Sequence, residues 1–238
     1  KDDVNFYTKA SYNVTNKLNL FADLQYRMVF YDATSVKFDD VNDTFRFFNP
    51  KAGLNYQLDA KNAFYGYFGI ANKEPRRDDY ESGAIKPERL LDYELGWKYN
   101  TKKVKLYANA FYMKYNDQLV MTGALNDVGS PIFTNSGKSY RLGLEVESTI
   151  ALTDKLILNP NITLSQSRNE DFYFQRDGVV QNLGNTNIAY SPNVIFGNRF
   201  SYLPVKGLQL ALLSKFVGEQ YMGNIDAENS KLDSYFIN

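Results

Sequence analysis

Between Leu91 and Tyr99 the chain alternates without a break. Leu91, Tyr93, Leu95, Trp97 and Tyr99 are apolar, and Asp92, Glu94, Gly96 and Lys98 lie between them. A period of two puts the apolar side chains on one face of an extended strand and the charges on the other. The same pattern returns in Leu18–Phe30, where Leu18, Leu20, Ala22, Leu24, Tyr26, Met28 and Phe30 oppose Asn19, Phe21, Asp23, Gln25, Arg27 and Val29. In Tyr140–Ser148, Tyr140, Leu142, Leu144 and Val146 oppose Arg141, Gly143, Glu145 and Glu147. Lys155–Arg168, Asn49–Leu58 and Leu208–Phe216 alternate likewise. Ten such strands, and the beginning of an eleventh at Leu232–Asn238, can be counted along the chain.

Short turns rich in Asn, Asp, Lys, Gly and Pro separate alternate strand pairs: Asn13–Lys17, Asp59–Asn62, Asn100–Lys103, Leu152–Lys155 and Pro204–Gly207. Between them lie long polar segments, Tyr31–Thr44, Asn72–Glu88, Asp117–Gly137, Asn169–Ala189 and Glu219–Ser230. Short and long connections therefore alternate, as they do when strands run up and down with all long loops at one end. The strands span about 10–14 residues, more than the ~5–6 of soluble sheets and enough for the ~9–11 of a tilted membrane strand. Asp, Glu, Lys and Arg fall almost entirely on one face, and a charge on a barrel's lipid face costs ~2–4 kcal/mol at mid-membrane. A soluble antiparallel sandwich also alternates, but strand length, one-sided loops and aromatic content oppose it. The pattern predicts an all-β fold, a transmembrane antiparallel β-barrel of the outer-membrane type with turns toward the periplasm and loops outside.

Composition narrows the chemistry. The 238 residues carry 27 basic and 27 acidic side chains, so no net charge draws the chain to nucleic acid. Cysteine and histidine are both absent, which excludes a Ser-His-Asp hydrolase, a disulfide framework and a thiolate metal site. Aromatics make up 16%, in keeping with rings gathered at membrane interfaces. No apolar run approaches the ~20 residues of a transmembrane helix. The chain starts at Lys1 without an initiator Met or signal peptide, so the expectation is a processed front or a piece of a longer protein.

A set of ordered stretches carries a family likeness: F-F-N-P-K-A-G-L-N-Y (Phe47–Tyr56), A-N-K-E-P-R-R-D-D-Y (Ala71–Tyr80), K-P-E-R-L-L-D-Y-E-L-G (Lys86–Gly96), F-Y-M-K-Y-N-D-Q-L-V-M-T-G (Phe111–Gly123), L-N-D-V-G (Leu125–Gly129) and N-S-G-K-S-Y-R-L-G-L-E-V-E (Asn135–Glu147). The sequence resembles the C-terminal half of TonB-dependent outer-membrane receptors, in the style seen in Bacteroidetes. The resemblance implies a 22-stranded barrel of which residues 1–238 supply about half. It implies an N-terminal plug domain and the remaining strands outside this sequence, TonB as the energy-relaying partner reached through that missing N-terminus, and outer-membrane lipid around the wall. It also implies non-enzymatic import of a small-molecule or metal-chelate cargo, such as a ferric siderophore, haem or cobalamin. Two other classes stand beside it: a passive small outer-membrane channel, and a structural barrel subunit of a larger assembly.

Candidate sites are weighed against plainer roles. Glu74, Arg76, Arg77, Asp78, Asp79 and Tyr80 form the densest charged cluster, inside a 17-residue loop with five acids and four bases. Arg76, Arg77 and Tyr80 could capture an anionic ligand through the planar multi-donor fork of Arg; equally, the loop could be solvated and held by its own ion pairs, with Pro75 shaping it. Asp92, Glu94, Arg141, Glu145 and Glu147 are expected to face the lumen, to hold the plug or merely to line a wet wall. Asp39, Asp40 and Asp43 lack the glycine and twelfth-position Glu of a calcium loop and read as a solvated run. Tyr107, Phe111, Tyr115, Phe172, Tyr173, Phe174 and Tyr221 could stack on a ligand, those at strand ends being expected in the interface girdle. No catalytic residue, metal ligand set or bound cofactor is expected, and the lack of His argues against a haem site built from this segment.

Overall fold

The computed structural model describes residues 1–34, 40–81, 86–125, 129, 131–176 and 179–238. Eleven strands of the described residues follow one another in chain order along one antiparallel sheet. They are β1 (Asp2–Asn13), β2 (Leu18–Ala33), β3 (Val41–Gln57), β4 (Asn62–Lys73), β5 (Glu88–Asn100), β6 (Val104–Asn116), β7 (Lys138–Ala151), β8 (Leu156–Glu170), β9 (Val194–Tyr202), β10 (Leu210–Val217) and β11 (Tyr235–Ile237). Of these, β1 pairs with β2 and β11 with β10, and the two ends of the sheet do not meet, so the sheet is open.

The register carries each face across the whole sheet. One row reads Tyr12, Leu20, Leu54, Gly66, Leu95, Ala110, Leu144, Leu164 and Val194. A row of the opposite face reads Lys9, Asp23, Lys51, Gly69, Asp92, Met113, Arg141 and Ser167. The sheet thus has one apolar and one polar face, and a one-residue slip in any strand would exchange them. On the apolar face Phe68, Tyr93, Tyr112 and Tyr140 form a continuous belt over β4–β7, with successive ring centroids 4.9, 6.3 and 6.3 Å apart.

On the polar face large rings lie over glycines of neighbouring strands: Phe21 over Gly53, Tyr65 over Gly96 and Phe111 over Gly143. A Cβ at any of the three would collide with the ring, so glycine makes room for an aromatic side chain lying flat on the wall.

The short turns fall where the pattern places them. The long polar segments, by contrast, contain structure of their own. Leu119–Leu125 pairs with Pro131–Asn135, Tyr173–Arg176 with Val179–Asn182, and Gln220–Tyr221 with Lys231–Leu232. Strands β2 and β3 also run on to Ala33 and from Val41, well into the expected loop Tyr31–Thr44. The expected last strand from Leu232 narrows to Tyr235–Ile237 in the sheet, because Lys231 and Leu232 pair with the preceding loop instead.

Pro50 shapes the long-loop end. Lacking an N–H, it cannot extend the β3–β4 ladder, whose pairs run from Lys51↔Gly69 to Gln57↔Ala63. Past it the Asn49 side chain spans the gap. Its Nδ2 donates to Gln25 (3.0 Å), and its Oδ1 accepts from the Asn72 backbone (3.1 Å) and from Asn72 Nδ2 (2.8 Å). With β3 and β4 parted, the connection after β4 is carried back toward β1 and β2.

Candidate functional site

That connection forms the first half of the site. Lys73 ends β4, and Glu74 and Pro75 are buried where the chain turns inward. The Arg76 N–H donates to Asp79 Oδ2 at 2.7 Å, which starts a short helix at Arg77–Glu81 with Asp78 and Asp79 in its first turn. Acids at that end satisfy the free N–H groups and the helix dipole.

Arg27 of β2 locks the turn to the wall. Its Nη2 lies 2.5 Å from Asp3 Oδ2, and its Nη1 and Nη2 reach Glu74 at 2.8 and 2.9 Å. Lys1 Nζ adds a third bond to Glu74 at 2.5 Å. Burial would raise the Glu74 pKa, but the bonds from Arg27 and Lys1 outweigh it and hold the carboxyl down at about 2. Farther along, Tyr80 stacks on Tyr31 with centroids 5.1 Å apart and donates its hydroxyl to Asp43 at 2.5 Å. Burial, then the bond to Asp43, pushes the Tyr80 phenol well above its ordinary value.

The two roles considered for this cluster therefore fall on different residues. Glu74, Pro75, Asp79 and Tyr80 are buried and serve as the anchor, while Arg76, Arg77 and Asp78 are exposed at the mouth. Of the acidic run in the first long loop, Asp39 lies outside the described residues, Asp40 is exposed and Asp43 is the partner of Tyr80. Among the described residues no group of three or more Asp and Glu side chains is placed to hold a metal ion.

The second half of the site is the polar wall. Register places Asp92, Glu94, Arg141, Glu145 and Glu147 on the same face. Glu94 accepts from Tyr65 (3.2 Å) and Asn109 (3.3 Å), and the Tyr65 hydroxyl meets Tyr107 at 2.5 Å and Asn109 Oδ1 at 2.7 Å. Lys98 Nζ sits 5.7 and 5.8 Å from the Tyr65 and Tyr107 ring centres. Asp92 and Arg141 flank Met113 in one row, with Arg141 over the Tyr115 ring at 5.8 Å. Asp92 Oδ1 and Arg141 Nε are buried without a hydrogen-bond partner.

The girdle expectation needs correction at the end of β6, where Tyr115 lies on the polar face opposite Ser139. Tyr107 and Phe111 share that face, at the positions of Glu147 and Gly143. β6 carries rings on both faces, and only its register says which ring goes where. Phe172 is fully buried among the loops, Tyr173 is exposed, Tyr221 pairs with Lys231, and the Phe174 side chain lies outside the described residues.

A loop hub also escaped the sequence reading. Asn224 is buried; its Nδ2 donates to the Met121 carbonyl (2.6 Å), and its Oδ1 accepts from the Ala189 N–H (2.9 Å) and Asn169 Nδ2 (3.4 Å). One side chain thus ties three connections together. Nothing local marks it, because Met121 is 103 residues away.

An open meander with an apolar outer face, a polar inner face, short turns at one end and braced loops at the other defines a segment of membrane β-barrel wall. The chain belongs to the TonB dependent receptor-like β-barrel family, whose model matches residues 1–238. A search of curated proteins by sequence finds no match. Among solved structures it is similar to the siderophore receptor PiuA from Acinetobacter baumannii, with TM-score 0.75 and 16% identity over 98% of this chain and 35% of that one. The ferric yersiniabactin uptake receptor FyuA from Yersinia pestis gives 0.71 and 18% over 98% and 36%, and the copper transporter OprC 0.78 and 12% over 99% and 39%. At these identities the likeness is one of fold, and the chain spans little more than a third of each relative's length.

Proposed function

We propose that this chain forms part of the barrel of an active-transport receptor in the outer membrane of a Gram-negative bacterium. The receptor imports a scarce nutrient, of the ferric siderophore, haem or cobalamin class, with energy supplied through TonB, and makes or breaks no covalent bond in its cargo. The observation that carries this reading is the family match over all 238 residues of a chain whose inner wall is polar. The solved relatives include receptors for a siderophore and for ferric yersiniabactin and a copper transporter, which supports a metal-chelate cargo.

In this role Arg76 and Arg77 offer planar cationic donors to an anionic chelate at the mouth, and Tyr80 positions them from below. Asp92, Glu94, Arg141, Glu145 and Glu147 face a plug domain inside the lumen. The family match, and the charge of this wall, support such a contact over the passive-channel and structural-barrel alternatives. The test is accumulation of radiolabelled ferric chelates by cells expressing the full-length receptor, with and without TonB. Uptake that needs TonB supports the proposal; uptake indifferent to TonB, or none for any chelate tried, refutes it. Arg76→Gln with Arg77→Gln should weaken chelate binding to the purified receptor about tenfold or more, as loss of two charge-assisted contacts implies.

A further inference from the structure

The apolar face is interrupted near the long-loop end. There the register sets Ile70, Leu91, Lys114, Tyr140 and Arg168 in one row, and Asn72, Arg89, Asn116, Lys138 and Glu170 in the next. Both rows lie just beyond the Phe68, Tyr93 and Tyr112 rings, and Tyr140 carries the belt into the first of them. Arg89, Lys114, Lys138 and Arg168 stand on the four consecutive strands β5–β8, within about 15 Å of one another across the sheet at ~4.8 Å per strand. Arg168 lies 3.7 Å from Asp226. Among the described residues Arg89, Lys114 and Lys138 have no ion-pair partner, and their rows contain one acid, Glu170.

Four cations on the side of a sheet that faces hydrocarbon, at the depth where its aromatic belt ends, sit where a bilayer's headgroups lie. A charge there is tolerated, whereas one deeper in the apolar face is not, and basic clusters at that level attract anionic lipid. We propose that Arg89, Lys114 and Lys138 form a docking site for the phosphate of an anionic lipid in the leaflet at the long-loop end. Asn116 in the same row supplies a neutral donor, and the rings of Tyr112 and Tyr140 support the lipid's glycerol or sugar portion. This rests on the membrane-barrel reading above and adds a ligand on the outer side of the wall, away from the cargo path.

The test uses the full-length receptor containing this chain, purified in neutral detergent and analysed by native mass spectrometry with phosphatidylglycerol or phosphatidylcholine added. The intact receptor should retain phosphatidylglycerol preferentially. R89Q/K114Q/K138Q should lower that retention about tenfold or more, from the loss of three cations near the phosphate. The charge-preserving R89K/K114R/K138R should keep it, as should K9Q/K105Q, whose lysines face inward. Equal retention of the two lipids, or retention unchanged in the triple Gln variant, overturns the proposal. So does displacement of the lipid by millimolar inorganic phosphate, which would make the patch a free-anion site. A heat-modifiable band on a denaturing gel, run for every variant, reports separately whether a folded barrel is present; its absence in the unmutated receptor would refute the barrel reading itself.

Discussion

Replacing Glu74 with Gln should release the turn at the mouth while leaving the barrel standing. The carboxylate accepts from Lys1 Nζ and from two nitrogens of Arg27, and its side chain is 8% exposed, so water screens these bonds little. Its pKa falls from 4.5 to about 2, which at 1.36 kcal/mol per unit is on the order of 3 kcal/mol. Arg27 keeps its fork on Asp3 in the variant, so part of that is retained and about 2–3 kcal/mol remains to be lost. The turn should then open roughly 30- to 150-fold more often, at tenfold per 1.36 kcal/mol. Hydrogen exchange of the Asp79 and Tyr80 amides reads this directly, since both bond the Arg76 carbonyl, at 3.1 and 3.2 Å. Because the folded pKa lies below the ordinary value, the stabilisation is complete above about pH 4.5 and is lost as pH falls through about 2. Exchange corrected for its intrinsic pH dependence should therefore rise over that window by a larger factor in the native receptor than in Glu74→Gln, which keeps the Asp79 and Asp43 contacts. An increase below threefold at neutral pH, or the same acid step in both proteins, would refute the reasoning.

Gly96→Ala puts a methyl into the ring of Tyr65 and should cost about 1–3 kcal/mol in urea unfolding, because displacing that ring also breaks its bonds to Tyr107, Asn109 and Glu94. Asn224→Ala leaves the Ala189 N–H and the Met121 carbonyl without their partner, about 1–3 kcal/mol for each buried group, and should speed exchange at Ala189 at least tenfold. Tyr80→Phe keeps the stack on Tyr31 but loses the bond to Asp43, about 1 kcal/mol, seen as faster exchange in the helix that follows Arg76. The same variant should leave the number of tyrosines ionising near pH 10 unchanged in an alkaline absorbance titration, since the Tyr80 phenol is pushed above that range.

The strands and short turns were legible because alternation and turn chemistry are local. Leu91–Tyr99 announces its two faces without help, and Asn13–Lys17 could hardly be anything but a reversal. What escaped was set by partners distant in sequence. Glu74 and Arg27 are 47 residues apart, and neither marks the other as its partner. The candidate cluster was visible as a density of charge, but its division into a buried anchor and an exposed Arg pair depends on Pro50 parting β3 from β4. β6 misled because Leu106–Tyr115 carries rings at both parities, Tyr107, Phe111 and Tyr115 against Tyr112, so composition could not assign Tyr107 to the inner wall. The loop pairs, such as Leu119–Leu125 with Pro131–Asn135, were hidden within stretches that read simply as polar.

The Asn224 hub bears on selectivity in the proposed import role. Loops that move independently would each lose conformational freedom when a cargo settles on them, and that loss would subtract from affinity. Here one buried amide, on the connection that carries Asn224, has already bound to it the connection through Met121 and the one bounded by Asn169 and Ala189, making a single body. The ordering is done during folding, before any cargo arrives. A cargo matching the preset shape meets a small entropic penalty, and one that requires a single loop to shift must disturb all three. The mouth is thus built to discriminate by fit, at the expense of adapting to cargoes of different size.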